Sequence, residues 1–311
     1  MRLRVGRRKV AVSLAGLLVT LGVAATAPTS ASAAPKTAAP KAAPTPAGPA
    51  YRHGAVPTVS HASTNPARAQ TAASQADLSF HGGVSNVGVT TGPPRVYLVF
   101  WGTQWGSPAT SAQGYQTLTG DTQGMAPALQ AFMKGLGTSG ETWSGIMTQY
   151  CEGVAAGAQS CPATAPHVGY PTGGALAGVW ADTGAAGPAA ATAHDLAAEA
   201  VAAATHFGNT TAAANRNAQY FIVSPPGSNP DGFNTVQGNF CAWHDWSGDA
   251  GMAGGAVSSP FPVAFVNMPY IPDAGSNCGM NFVNRGPSGA LDGVTLAGGH
   301  EYAEVLTDQF P

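Results

Sequence analysis

At 311 residues the chain is long enough for one large domain or two small ones. A net charge of -2 with only 9% charged residues argues against a nucleic-acid surface built from basic patches. Its 41 glycines and 25 prolines, with many Ala, Ser and Thr, describe a loop-rich protein whose polar but weakly charged surface fits an extracellular setting.

Residues 1–33 read as a secretory signal. Arg2, Arg4, Arg7, Arg8 and Lys9 form a basic start, residues 10–25 an apolar stretch, and Ala31-Ser32-Ala33 a small-residue cleavage site. The apolar run is short for a membrane anchor, and no other segment is long and apolar enough to span a bilayer, so no stable membrane insertion is expected. Arg7-Arg8 suggests twin-arginine export only faintly, given the Lys9-Val10-Ala11 that follows. Residues 34–84 are rich in Ala, Pro, Thr and Ser without a sustained period, the composition of a disordered linker or pro-segment, and His53, His61 and His81 within it read as solvated.

Residues 85–311 read as a single α/β domain with a central, mostly parallel sheet flanked by helices. Arg95-Val96-Tyr97-Leu98-Val99-Phe100-Trp101, between Pro94 and Gly102, is a run of β-branched and aromatic residues that predicts a buried strand. Met125, Leu129, Phe132, Met133 and Leu136 recur at helical spacing, with Pro127 suited to the first turn and Gly137 to the end. A short helix is predicted over 142–150 and an Ala-rich one over 190–207, where His194 and His206 read as packing or surface residues. Residues 219–224 and 262–268 predict two further strands, the last in either orientation, and residues 288–307 a closing helix.

The four cysteines, Cys151, Cys161, Cys241 and Cys278, are even in number and follow a leader, so disulfides are expected rather than a metal held by thiolates. Sequence alone leaves three connectivities. Local pairing, Cys151–Cys161 and Cys241–Cys278, is preferred because each closes a Gly- and Pro-rich loop.

The stretch that carries chemistry is Gly-Gly-His-Glu-Tyr-Ala-Glu at 298–304. His300 and Glu304 lie one helical turn apart on one face, a spacing at which two side chains can grip a single Zn²⁺. Glu301 stands where an H-E-x-x-H metallopeptidase helix keeps its general base, although the second histidine of that signature is here a glutamate. Two candidates complete the site. Asp308 would lie roughly 12 Å beyond His300 along a straight helix, so it joins only if the helix ends near Leu306 and the chain folds back. His244, in Phe240-Cys241-Ala242-Trp243-His244-Asp245-Trp246, has Asp245 beside it as an orienting carboxylate and a cysteine to pin its loop. The bland alternative is an ordinary amphipathic helix decorated with acids.

Four stretches taken in order resemble the secreted EXORDIUM, or phosphate-induced, protein family of plants and its bacterial relatives. They are Val96-Tyr97-Leu98-Val99-Phe100-Trp101-Gly102, Phe240-Cys241-Ala242-Trp243-His244, Cys278 to Asn281, and Asp292-Gly293-Val294-Thr295-Leu296-Ala297. Leu306-Thr307-Asp308-Gln309-Phe310 is similar to that family's Val-Thr-Asn-Pro-Phe. The resemblance implies an extracellular, cell-wall-associated protein and carries no agreed enzymatic activity. Where the plant pattern has small apolar residues, this chain has His300, Glu301 and Glu304.

Two functions follow as expectations. One is a secreted zinc-peptidase-like hydrolase acting on protein or cell-wall polymer. The other is a non-catalytic protein that binds wall polymer or a partner through aromatic loops at Trp101 to Trp105 and Trp243 to Trp246. A serine hydrolase is disfavoured, since no G-x-S-x-G elbow is present. The chain stops at Gln309-Phe310-Pro311, just past the candidate site, as a fragment of a longer protein would.

Overall fold

Three of the strands are apolar on both faces, and that decides the architecture. In the computed structural model, which describes residues 51–64, 79–234 and 239–311, β1 (Arg95–Trp101), β5 (Ala218–Val223) and β7 (Ala264–Met268) are buried along nearly their whole length. A strand with apolar side chains on both faces needs cover on both, which a parallel sheet with crossover helices supplies. The sheet has five strands in the order β4-β1-β5-β7-β6, where β4 is Leu176–Asp182 and β6 is Trp243–Trp246. All neighbours pair parallel except β6, which runs antiparallel to β7. The expected single α/β domain with a mostly parallel sheet is the observed one, and the strand at 262–268, expected in either orientation, is parallel to β5. The expected signal peptide, residues 1–33, and most of the expected linker, residues 34–50 and 65–78, lie outside the described residues.

Local signals set the helices. α2 (Met125–Gly135) has no side-chain cap at Gly124; instead the Asp121 carboxylate accepts from the Met125 and Ala126 amides at 3.0 and 2.7 Å. α3 (Ala193–His206) opens on a capping box between Thr192 and Asp195. The region expected as a helix at 142–150 is the tighter 3₁₀ form, Trp143–Gln149. Short helices α1 (Val59–Thr64) and α4 (Ala212–Asn215) and a small hairpin of β2 (Pro108–Thr110) and β3 (Gln116–Leu118) complete the set with α5, Asp292–Thr307.

Alternation along the strands places helices on both faces of the sheet. Tyr97 stacks on Tyr220 and on Phe207, just beyond α3, so α3 covers that face. Met268, three residues on from the Phe265 paired with Tyr220, points the other way and meets α5 at Gly298. α2 lies beside α5 because two consecutive residues of α5 lack side chains. A Cβ at Gly298 would stand 3.0 Å from Leu129 Cδ1, and one at Gly299 3.1 Å from Phe132 Cζ.

Both disulfides pair locally, Cys151–Cys161 and Cys241–Cys278. They fit an oxidising compartment. Among the described residues no helix is long and apolar enough to cross a membrane. His194 and His206 serve packing: His194 Nδ1 lies 2.8 Å from the Gly255 carbonyl, and His206 stacks on Trp180 at 4.1 Å.

One buried acid of α3 sets a pH dependence. Burial, and then the nearby Asp182 carboxylate, push Glu199 from its ordinary 4.5 up to about 8. The unfolded chain therefore releases this proton first as pH rises, and the folded state loses relative stability between about 4.5 and 8. Glu199→Gln is expected to flatten that decline and to add on the order of 1–2 kcal/mol at pH 8, read from denaturant midpoints at pH 5 and pH 8.

Candidate metal centre

The candidate site forms where α5 crosses the edge strand β6. Gly293 lets the start of α5 press on the Cys278 segment, since a Cβ there would fall 1.9 Å from the Cys278 carbonyl oxygen. Cys278 is bonded to Cys241, two residues before β6, so helix and strand are tied together close to the site. At its other end, α5 stops at Thr307, close to the expected end near Leu306, and the chain then folds back. The Thr90 amide donates to the Leu306 carbonyl at 2.9 Å, the Gln309 amide to the Gly88 carbonyl at 2.8 Å, and Phe310 stacks on Trp246.

His244 projects from β6 toward α5. Its Nδ1 lies 3.4 Å from Glu301 Oε2 and 3.6 Å from Glu304 Oε2, and one donor atom from each of the three residues lies within 4.8 Å of the other two. Such separations are too long for ordinary hydrogen bonds. Neither ring nitrogen of His244, neither carboxylate oxygen of Glu301, nor Glu304 Oε2 has a hydrogen-bond partner. His244 is 1% exposed and Glu301 0%. Leaving an ionised carboxylate dry and unpaired costs several kcal/mol. Two donors bound tetrahedrally to one cation at about 2.1 Å lie about 3.4 Å apart, close to the 3.4 and 3.6 Å that separate His244 Nδ1 from the two carboxylates. The three residues could therefore hold a divalent cation.

Burial dominates the electrostatics. It lowers the His244 pKa to about 3, with the nearby His53 and His300 acting the same way and the Asp308 backbone acting against it, so the ring is neutral. Burial and then the Glu304 charge raise the Glu301 carboxyl well above the usual range. His300 is different. Half-exposed, its Nε2 lies 3.0 Å from Glu304 Oε1 and 3.0 Å from the Gly54 carbonyl, and the Glu304 hydrogen bond raises its pKa.

Of the residues singled out in the sequence, His244, Glu301 and Glu304 are brought together, while His300 sits on the solvent side of Glu304 and outside the group. Glu301 stands among the donors rather than beside them as a water-facing base. Asp308 caps α5 with its amide on the Glu304 carbonyl at 2.7 Å, but its exposed side chain faces a cleft beside the Cys151–Cys161 disulfide and does not join the group. The helix ends early as required, but Asp308 stays outside the donors, though near enough to Glu304 for that charge, after burial, to help push its pKa up to about 6.

Asp245, expected to orient His244, instead forms a second group with His53 and Asp249, their donor atoms again within 4.8 Å. Asp245 is 0% exposed and burial drives its pKa up to about 9. His53 had been assigned to a solvated linker. It is half-buried because residues 51–58 pack on the domain, a correction to the expected boundary at residue 84. Only the glycine beside His53 hinted at close packing; the segment has no periodicity. Of the tryptophans in the aromatic loops, Trp105 and Trp243 are fully buried, and Trp101 and Trp246 are partly buried against the core.

Comparison with family models, with curated proteins and with solved structures finds no match.

With divalent cations chelated, Glu301→Gln and Glu301→Leu are expected to leave the thermal midpoint unchanged or to raise it, because each removes an unpaired buried acid. Breaking a self-sufficient buried ion pair would instead cost about 3 kcal/mol or more. Circular dichroism melts in excess chelator separate the two.

Proposed function

We propose that this chain is a secreted, metal-dependent hydrolase with zinc-peptidase-like chemistry, in which His244, Glu301 and Glu304 hold Zn²⁺. The observation that carries this reading is a cluster of one imidazole and two carboxylates, His244 and Glu301 fully buried and Glu304 partly so, without hydrogen-bond partners at the atoms that face one another and close enough to be ligands of one ion. One nitrogen and two oxygens are an accepted zinc set and leave a fourth position for water or substrate. The bound ion supplies a water whose pKa falls to about 7.

The protein residues divide the remaining work. Neutral His244 gives a nitrogen donor, and the two carboxylates offset the charge of the ion in a dry setting. Glu304 also reaches His300 through its other oxygen. His300, partly open to solvent, directs its Nε2 hydrogen at Glu304 and the Gly54 carbonyl, and in this reading it is the acid that gives a proton to the leaving group.

Membership in the EXORDIUM-like family is proposed on the resemblance alone. It gains some coherence from the fold, since two of the resembling stretches, at Cys241 and Cys278, are joined by a disulfide and a third leads directly into α5. A secreted location is supported by the two disulfides. The non-catalytic reading rests on aromatic loops of which only Trp101 and Trp246 keep part of their surface open.

Purified protein is expected to hold zinc that His244→Ala and Glu304→Ala each lose, with hydrolysis of an unfolded protein substrate falling at least about 100-fold. Metal analysis beside activity assays checks this. A fully folded protein that takes up no divalent cation at any concentration tested would overturn it.

A further inference from the structure

The antiparallel edge of the sheet is not bare. Beyond β6 and the residues just before it, residues 51–58 run alongside in the antiparallel sense, joined by two isolated bridges, His53 opposite His244 and Pro57 opposite Phe240, with a turn at Gly54 between them. The His244 amide donates to the His53 carbonyl at 3.0 Å, Val56 to Ala242 at 3.0 Å, Cys241 to Val56 at 2.7 Å and Thr58 to Asn239 at 3.0 Å. An anchor holds the near end. Arg52 Nε lies 2.6 Å from Asp231 Oδ2, and the Tyr51 hydroxyl donates to Asp231 Oδ1 at 2.9 Å.

Between those attachments the segment passes directly against the candidate metal centre. Gly54 takes a left-handed conformation, φ +58, and its carbonyl accepts from His300 Nε2 at 3.0 Å. A Cβ at this position would fall 1.4 Å from Glu304 Oε2 and 2.8 Å from His244 Nδ1. The backbone of Gly54 thus lies directly against the cluster, beside Glu304 and His244.

We propose that the edge of β6 is the docking track for a polypeptide substrate that runs antiparallel to it and turns at a glycine beside the metal centre, and that residues 51–58 fill it in the intact chain. This rests on the hydrolase reading and names its substrate class. Strand addition suits the geometry because the contacts are made by backbone amides and carbonyls that every polypeptide carries. Selectivity then comes from the positions where side chains meet the wall. Here the residue facing Glu304 must lack a side chain, so the track favours glycine at that point. The carbonyl of that glycine is presented to His300, the residue placed to give a proton. While the chain's own segment is seated, the site is closed to any other.

The test uses the full chain. Gly54→Ala drives a methyl group into Glu304, and Val56→Pro removes the amide bonded to Ala242. Each should release the segment, seen as loss of hydrogen-exchange protection at the Cys241 and His244 amides. A labelled synthetic peptide of residues 51–58 should then bind the variants and not the wild type. The same peptide with valine in place of its glycine should bind at least about tenfold more weakly, and hydrolysis of an unfolded protein should rise by about tenfold or more in the variants. Release of the segment without peptide binding, or binding indifferent to the glycine, overturns the proposal. Glycine-dependent binding with neither bound metal nor hydrolysis would leave the docking track standing and overturn the hydrolase reading. Should Gly54→Ala fail to fold, Val56→Pro carries the same measurements.

Discussion

A carboxylate with no partner, sealed between a helix and the edge strand of a sheet, is the feature on which the rest of this structure turns. Glu301 is wholly buried, and its nearest polar neighbours, His244 and Glu304, are equally short of hydrogen bonds at the atoms that face it. A fold gains nothing in stability from such an arrangement, because desolvation outweighs what the loosely spaced groups return to one another. In the reading proposed here a cation supplies the missing interaction. The cost of the empty cluster is then what makes the site bind.

Such a site needs rigid support, and the chain provides it from both sides. β6 is held by β7 on one edge and by the disulfide to Cys278 just before it. α5 is fixed at its start by the close approach of Gly293 to the Cys278 backbone and along its middle by Gly298 and Gly299 against α2. Its end is caught by Thr90, Gln309 and Phe310, with Gln309 in turn bonded to Arg216 and to the Asn215 carbonyl. Donors mounted on a helix and a strand held this way keep their spacing better than donors on loops. Glycine, costly inside a helix by about 1 kcal/mol relative to alanine, appears three times in α5 where backbone or side chains must approach.

Much of this was legible in the residues, for a physical reason in each case. β1, β5 and β7 are apolar but for Arg95, Gln219 and Asn267 because both their faces are covered, so composition marks them. β4 escaped because it is an edge strand, partly exposed, with Gly178 inside it where Phe207 packs. β6 escaped because four residues carry too little pattern and its polar members serve the site. His300, Glu301 and Glu304 were found by helical spacing, and His244 by its place beside a cysteine. Asp308 was not separable from a ligand by sequence, since its direction depends on one turn after α5. The role of residues 51–58 was invisible: their composition is that of a linker, and they are ordered by β6, about 190 residues away in the chain.

The most direct measurement is diffraction from the zinc-soaked full chain on either side of the zinc absorption edge. One ion within about 2.0–2.2 Å of His244 Nδ1 and of one oxygen each from Glu301 and Glu304 is the expected result. An ordered, metal-saturated crystal in which no ion touches those three side chains would contradict it.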